Sequence, residues 1–281
     1  MGDNRLIKFV NFIMSSLPPS HRIALEQRIQ PLLQAQRQEP VVLHHDNTAY
    51  VVKFARREAG RLWREHLSSF IIWLLFQQRV SPYQLRAGSI AHEAQRLRQL
   101  RAAGITVPAL YLETPDYIVM EHCGESVEYR LRRTPYDRDL LQAIVQSLVQ
   151  LHKQQQWHGG AQVRNLTIKN QLLYRIDFEE NTGNAMPLAL AQAYDVLLCF
   201  NSLATHIQQN QTLGVELLQR YLQQTQQPEV RHLLIKVDRY LQRLQRLLPL
   251  LGKKLQHSKD IRQTRYFAAI LHQSLQADAS S

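Results

Sequence analysis

The stretch WHGGAQVRNLTIKNQLLYRIDFEEN, residues 157–181, places a His, an Asn and an Asp in fixed order around a short apolar run. Asn165 and Asp177 are 12 residues apart (177 − 165) and flank QLLYRI, which reads as a strand begun by the turn IKN. Two hard oxygen donors at the ends of such a strand suit Mg²⁺, which takes a few protein oxygens and completes its shell with water and phosphate.

Working outward, Lys53 sits inside the β-branched run AYVVKF, where a cation on a rigid strand can hold nucleotide phosphates. Glu93 follows 40 residues later (93 − 53) in a segment of helical period, and its carboxylate can pair with Lys53 and fix its direction. YIVMEHC ends a strand at the boundary between a strand-bearing and a helical half of the chain. Backbone N–H and C=O groups of Glu121 and Cys123 there are available to an adenine edge. Asp195, in QAYDVLLCF, reads as a buried helix carboxylate satisfied by backbone donors.

The remaining pattern gives these residues their setting. Val41–Leu43 and Ala49–Phe54 flank HHDNT as a hairpin. Apolar residues at helical spacing predict helices over 4–17, from about Ser20, over 57–80, and over 89–104 with Ser89 as N-cap and Gly104 past the end. ALYLE and YIVMEHC predict two strands around the turn TPD, and beyond Gly124 the chain reads as almost wholly helical. The expected organisation is α+β: residues 1–38 a helical extension, 39–122 a sheet with one helix, and 123–281 a helical half. A chain of 281 residues can bury one large core or two modest lobes.

Composition narrows the partners. Lys and Arg total 34 against 23 Asp and Glu, a net charge of +11, which favours an anionic substrate or partner. Cys123 and Cys199 are the only cysteines, too few for a disulfide framework or a thiolate zinc site, and a cytoplasmic location is expected. The 12 histidines show no zincin-type pair, so no zinc site is expected from spacing. No secretory signal is read at the N-terminus, and Leu6 stands where myristoylation prefers Ser or Thr. FIIWLLF, 70–76, is far shorter than the roughly 20 residues that span a bilayer, and is read as a buried helix face, with peripheral contact at a membrane's inner surface the alternative. No motif supports nucleic-acid binding.

Taken in order, these segments resemble the small atypical branch of the protein-kinase-like fold: the lipopolysaccharide (Kdo-type) kinases, the RIO-like kinases and the small kinase of the tRNA threonylcarbamoyladenosine complex. YVVKF resembles their strand-three Lys segment, and HEAQRLRQLRAAGITVPALYLETPDYIVMEHCGES their helix-C to hinge run. HGGAQVRN sits where they carry His-Gly-Asp-x-x-x-x-Asn, and RIDFEE where they carry Ile-Asp-Phe-Gly. The resemblance implies a two-lobed fold that binds ATP and Mg²⁺ between the lobes. It implies nucleotide contacts from Lys53, Glu121 and Cys123, metal ligation by Asn165 and Asp177, a loop propped by His158, and support from Asp195 below.

Three departures stand out. Gly160 replaces the Asp that would accept the substrate hydroxyl's proton. Glu179 replaces the Gly after Asp177-Phe178, and Glu179 or Glu180 is expected to supply the missing base. No glycine-rich phosphate loop precedes Lys53. The expected activity is phosphotransfer to a hydroxyl of a glycolipid, small molecule or protein; the alternative is a pseudokinase that binds nucleotide or a partner without turnover.

Overall fold

Only Asp46 and Asn47 separate the alternating runs VVLHH and TAYVVKF, so the chain pairs back on itself. In this computed structural model β1 (Val41–His45) and β2 (Thr48–Phe54) are antiparallel, with His45 opposite Thr48 and Val41 opposite Val52. Both turn residues take left-handed φ, +43° and +60°, the mirror-image turn whose twist suits a two-residue hairpin. β4 (Tyr117–Glu121) pairs with the free edge of β2, and β3 (Leu110–Glu113) with β4, giving the order β1-β2-β4-β3. The structure describes residues 17–55, 62–85, 88–207, 210–247 and 259–277. The helix expected over 4–17 falls almost wholly outside them.

Helix α1 (Pro19–Gln34) starts with proline at its first position, where the missing N–H costs nothing. Its Leu25 and Ile29 cover one sheet face, packed with Leu43, Tyr50, Val52, Phe54, Tyr117 and Val119. The other face carries Ile118 and Met120 into the main core, against Ala94, Leu97 and Leu100 of α3 (Ile90–Ala102). Ser89 caps α3, its Oγ accepting from His92 N at 3.3 Å, and Gly104 follows the helix at φ +75°. Both end signals therefore act as read.

Between β2 and α3 lies α2 (Leu62–Phe76), which is only half buried. Ile72, Leu75 and Phe76 enter the core, whereas Trp63, Leu67, Phe70 and Trp73 are exposed. FIIWLLF therefore has two apolar faces, the expected buried one and a second, carrying Phe70 and Trp73, that is exposed.

After β4 the described residues are mainly helical, interrupted by a second small sheet. Helices α4 (Val127–Arg133) and α5 (Arg138–Lys153) follow, the latter burying Leu140, Leu141, Ile144, Val145, Leu148, Val149 and Leu151. A three-stranded sheet of order β5-β6-β7 then forms from β5 (Glu125–Ser126), β6 (Leu166–Lys169) and β7 (Leu172–Arg175). Of these strands only β7 was expected. At the start of β5, Gly124 has φ +83°, and a Cβ there would lie 2.2 Å from Ile168 O, so only glycine lets these strands approach. A short turn α6 (Thr182–Ala185) leads to α7 (Leu188–Ile207), α8 (Gln211–Thr225), α9 (Pro228–Leu247) and α10 (Lys259–Ala277). Helix α7 has the length and composition to cross a membrane, but 56% of its apolar window is buried inside the fold, as befits a core helix. The architecture is α+β and two-lobed, a small antiparallel sheet ahead of a helical lobe.

Candidate active site

Alternation along β2 sends Tyr50, Val52 and Phe54 to the α1 side and Lys53 to the opposite face, toward α3. Lys53 Nζ there donates to Glu93 Oε1 at 2.7 Å and Oε2 at 3.0 Å. The same ammonium lies 2.9 Å from Asp177 Oδ1 and 3.5 Å from Glu179 Oε1. Burial works against the Lys53 charge, but Glu93, Asp177 and Glu179 outweigh it and raise its pKa. Glu93 is also raised: its burial exceeds the pull of Lys53, and Asp177 and Glu179 add to the rise. Glu93, Asp177 and Glu179 thus all turn a carboxylate oxygen toward this ammonium.

Asn165 and Asp177 meet because β6 and β7 form a hairpin. Leu166 pairs with Arg175, and beyond that pair Ile176 N donates to Asn165 O at 3.0 Å, so Asn165 and Asp177 stand at the same open end. Asp177 has φ +69°, a left-handed conformation that costs a non-glycine residue energy and is retained where the surroundings enforce it. Asn165 donates through Nδ2 to Gly160 O at 2.8 Å, which directs its amide nitrogen away and leaves Oδ1 as its acceptor. The donor set fits the implied Mg²⁺: hard oxygens at one hairpin mouth, one of them a carboxylate.

The His158 loop is held from below. Asp195 on α7 accepts from His158 N at 2.6 Å and Gly159 N at 2.8 Å, and lies 3.4 Å from His152 Nε2. Burial alone would raise the Asp195 pKa, but the His152 bond and the neighbouring histidine and backbone donors hold it below the usual range. His158 is fully buried, 4.5 Å centroid to centroid from the Phe178 ring, and its Nδ1 accepts from Gly160 N at 3.2 Å. Burial, helped by the Arg175 charge, pushes its pKa down to about 4. Packed on Phe178 and bonded to the Gly160 backbone, the ring shapes the loop.

Arg96, one turn beyond Glu93 on α3, ties that helix to the same loop. Its guanidinium lies 3.9 Å from the Trp157 ring centroid and donates to Trp157 O at 2.9 Å and Gln156 Oε1 at 3.2 Å. Arg96 is itself buried.

At the lobe boundary, Glu121 N donates to Ala109 O at 2.8 Å, while its carbonyl accepts the Cys123 thiol at 3.6 Å, a soft bond that an adenine amino group can displace. Burial lifts the Cys123 thiol to about 12, so it stays protonated. The Glu121 carboxylate pairs with Lys169 at 2.7 Å.

Gly160 is not required by its backbone, since its φ lies outside the left-handed range. A Cβ there would stand 3.2 Å from Asn165 Nδ2 and 3.6 Å from Glu180 Cγ. The carboxylate side chain beside the vacant position is therefore that of Glu180, whereas Glu179 is drawn to Lys53.

No protein-family model matches the chain, and no curated protein does. Among solved structures, WaaP in complex with acyl carrier protein is similar at a TM-score of 0.45 and 16% identity, over 77% of this chain and 90% of that one. A likeness of that size assigns no residue a role, and the site rests on its own geometry.

Proposed function

We propose that the chain is an ATP- and Mg²⁺-dependent phosphotransferase acting on a hydroxyl group. The observation that carries this reading is the convergence on Lys53 Nζ of Glu93 from α3 and Asp177 from the β6–β7 hairpin, at 2.7 and 2.9 Å. A bound Mg²⁺ supplies charge neutralisation for the transferring phosphoryl group, and the rest falls to the chain's residues. Lys53, steered by Glu93, holds phosphate oxygens; Asp177 and Asn165 offer metal ligands; Glu121 and Cys123 receive the adenine edge. Glu180 accepts the acceptor hydroxyl's proton in place of the absent Asp, an assistance worth about 10²–10⁴-fold.

The acceptor we propose is one displayed at an anionic lipid surface, the glycolipid among the classes considered. The exposed stripe Trp63, Leu67, Phe70 and Trp73 lies on α2, and aromatic residues of this kind favour the membrane–water interface. The segment after α2 is bound to the site: Gly88 N donates to Glu179 O at 2.7 Å and Asn181 Nδ2 to Gln84 O at 3.1 Å. Exposed Arg79 lines the same surface hollow as Phe70 and Trp73, and the net charge of +11 complements anionic headgroups.

A second reading, a pseudokinase that binds nucleotide without turnover, is favoured by Gly160 alone. Calorimetry with ATP and Mg²⁺, together with an assay for ADP formation, separates the two. Binding lost in Lys53→Ala and Asp177→Ala with ADP formed supports phosphotransfer, binding without ADP supports the pseudokinase, and no binding rejects both.

A further inference from the structure

At the far end of β2 from Lys53, three side chains from two elements converge. His21 Nε2 lies 3.4 Å from Asp46 Oδ2, and His45 Nε2 lies 3.5 Å from that same oxygen. One ligand atom from each of the three residues falls within 4.8 Å of the others. The imidazoles are nearly perpendicular, at 88° with centroids 4.7 Å apart, so they meet at an edge and do not stack.

The two histidine-to-Asp46 separations are those of a tetrahedral metal shell. With bonds of about 2.0–2.1 Å to nitrogen and oxygen, two ligands of a tetrahedral Zn²⁺ stand roughly 3.3–3.4 Å apart. A second observation points the same way. His21 Nδ1 lies 2.6 Å from the hydroxyl of buried Tyr50, an outer partner of the kind that orients a metal-binding imidazole, while Nε2 faces Asp46. The turn contributes too, because the left-handed φ of Asp46 and Asn47 sets the Asp46 carboxylate at the hairpin tip beside His45.

We propose that His21, His45 and Asp46 form a zinc site, with water as the fourth ligand, that clasps helix α1 to the β1–β2 hairpin. Imidazole and carboxylate donors with tetrahedral spacing select Zn²⁺ over Mg²⁺ and Ca²⁺, which prefer all-oxygen shells of higher coordination. The site is separate from the nucleotide cleft: five strand steps divide Thr48, next to the turn, from Lys53, about 17 Å at the rise of an extended strand. Its role is to fasten the helical extension, whose Arg28 Nη1 also donates to His44 O at 2.5 Å, across the sheet edge.

The test is titration of the full chain, freed of metal by chelation, with Zn²⁺ and separately with Co²⁺. One equivalent should bind, Tm should rise with Zn²⁺ concentration, and Co²⁺ should develop the intense visible absorption of a tetrahedral site. His21→Gln, His45→Gln and Asp46→Asn should each weaken binding at least tenfold and lose the Co²⁺ spectrum. His44→Gln and Asp177→Ala should keep both. Circular dichroism of the metal-free variants establishes that they remain folded. Absence of a stoichiometric site, an octahedral Co²⁺ spectrum, or binding unchanged in the His21 and His45 variants would overturn the proposal.

Discussion

Glu180 Cγ lies 3.6 Å from the point where a Cβ on Gly160 would stand. The Glu180 side chain thus passes the place where the expected side chain at residue 160 would branch. Glu180→Gln is expected to lower turnover by about 10²–10⁴-fold while leaving ATP affinity unchanged. Adding Gly160→Asp to that variant should recover activity, because the backbone at 160 admits a side chain with a shift of a few tenths of an ångström at Asn165. A double variant as inactive as the single one, in steady-state ADP formation, would reject Glu180 as the base.

Nucleotide binding should require its cation. Three carboxylates around one ammonium oppose a bare triphosphate, and like charges at 4 Å repel by about 1 kcal/mol in water and about 4 kcal/mol near a protein surface. ATP with chelator present is therefore expected to bind at least about tenfold more weakly than ATP with Mg²⁺. Calorimetry gives the comparison, and equal affinities would contradict it.

Stability should fall with acid through His158. Its folded-state pKa of about 4 lies below the ordinary 6.5, so below pH 6.5 the unfolded chain binds a proton that the folded chain refuses until pH approaches 4. The penalty builds over that window to roughly 3 kcal/mol, at 1.36 kcal/mol per unit. Asp195, held below its ordinary range, adds stability present above about pH 4 and lost as pH falls further. Denaturant midpoints for wild type and His158→Gln between pH 7 and pH 4 measure the slope, which should be shallower in the variant.

Arg96→Ala removes a cation–π contact and hydrogen bonds made by a buried charge, and should cost about 2–3 kcal/mol of stability. Arg96→Lys should not restore it, because an ammonium cannot lie flat on Trp157 while reaching Trp157 O. Chemical denaturation of both variants is the measurement.

Phe70→Glu with Trp73→Glu should abolish co-sedimentation with vesicles rich in anionic lipid and leave ADP formation with a soluble acceptor intact. Wild type that ignores such vesicles would remove the lipid-surface part of the proposal and leave the cleft untouched.

What could be read from sequence was whatever a fixed period or spacing encodes. Lys53 was legible because period-2 alternation fixes which face it shares, and Glu93 because its helix has both end signals. Asn165 and Asp177 were legible because they bracket one strand, although β6, which folds back to bring them together, went unrecognised: LTIK is too short and too mixed to announce itself. Which of Glu179 and Glu180 faces Gly160 depends on the left-handed turn at Asp177, which no pattern of residue types dictates. His21 stands 24 residues from His45 (45 − 21) on a different element, so their meeting depends on how α1 lies across the sheet. The exposed face of α2 was hidden because hydrophobicity all round a helix reads as burial.

Arg96 and Glu93 occupy successive turns of one rigid rod, one fastened to Trp157 and the other to Lys53. A shift of that rod therefore breaks the anchor of the upper lobe and the seat of the lower loop in a single event. An effector that displaced α3 would reach both contacts through the same backbone.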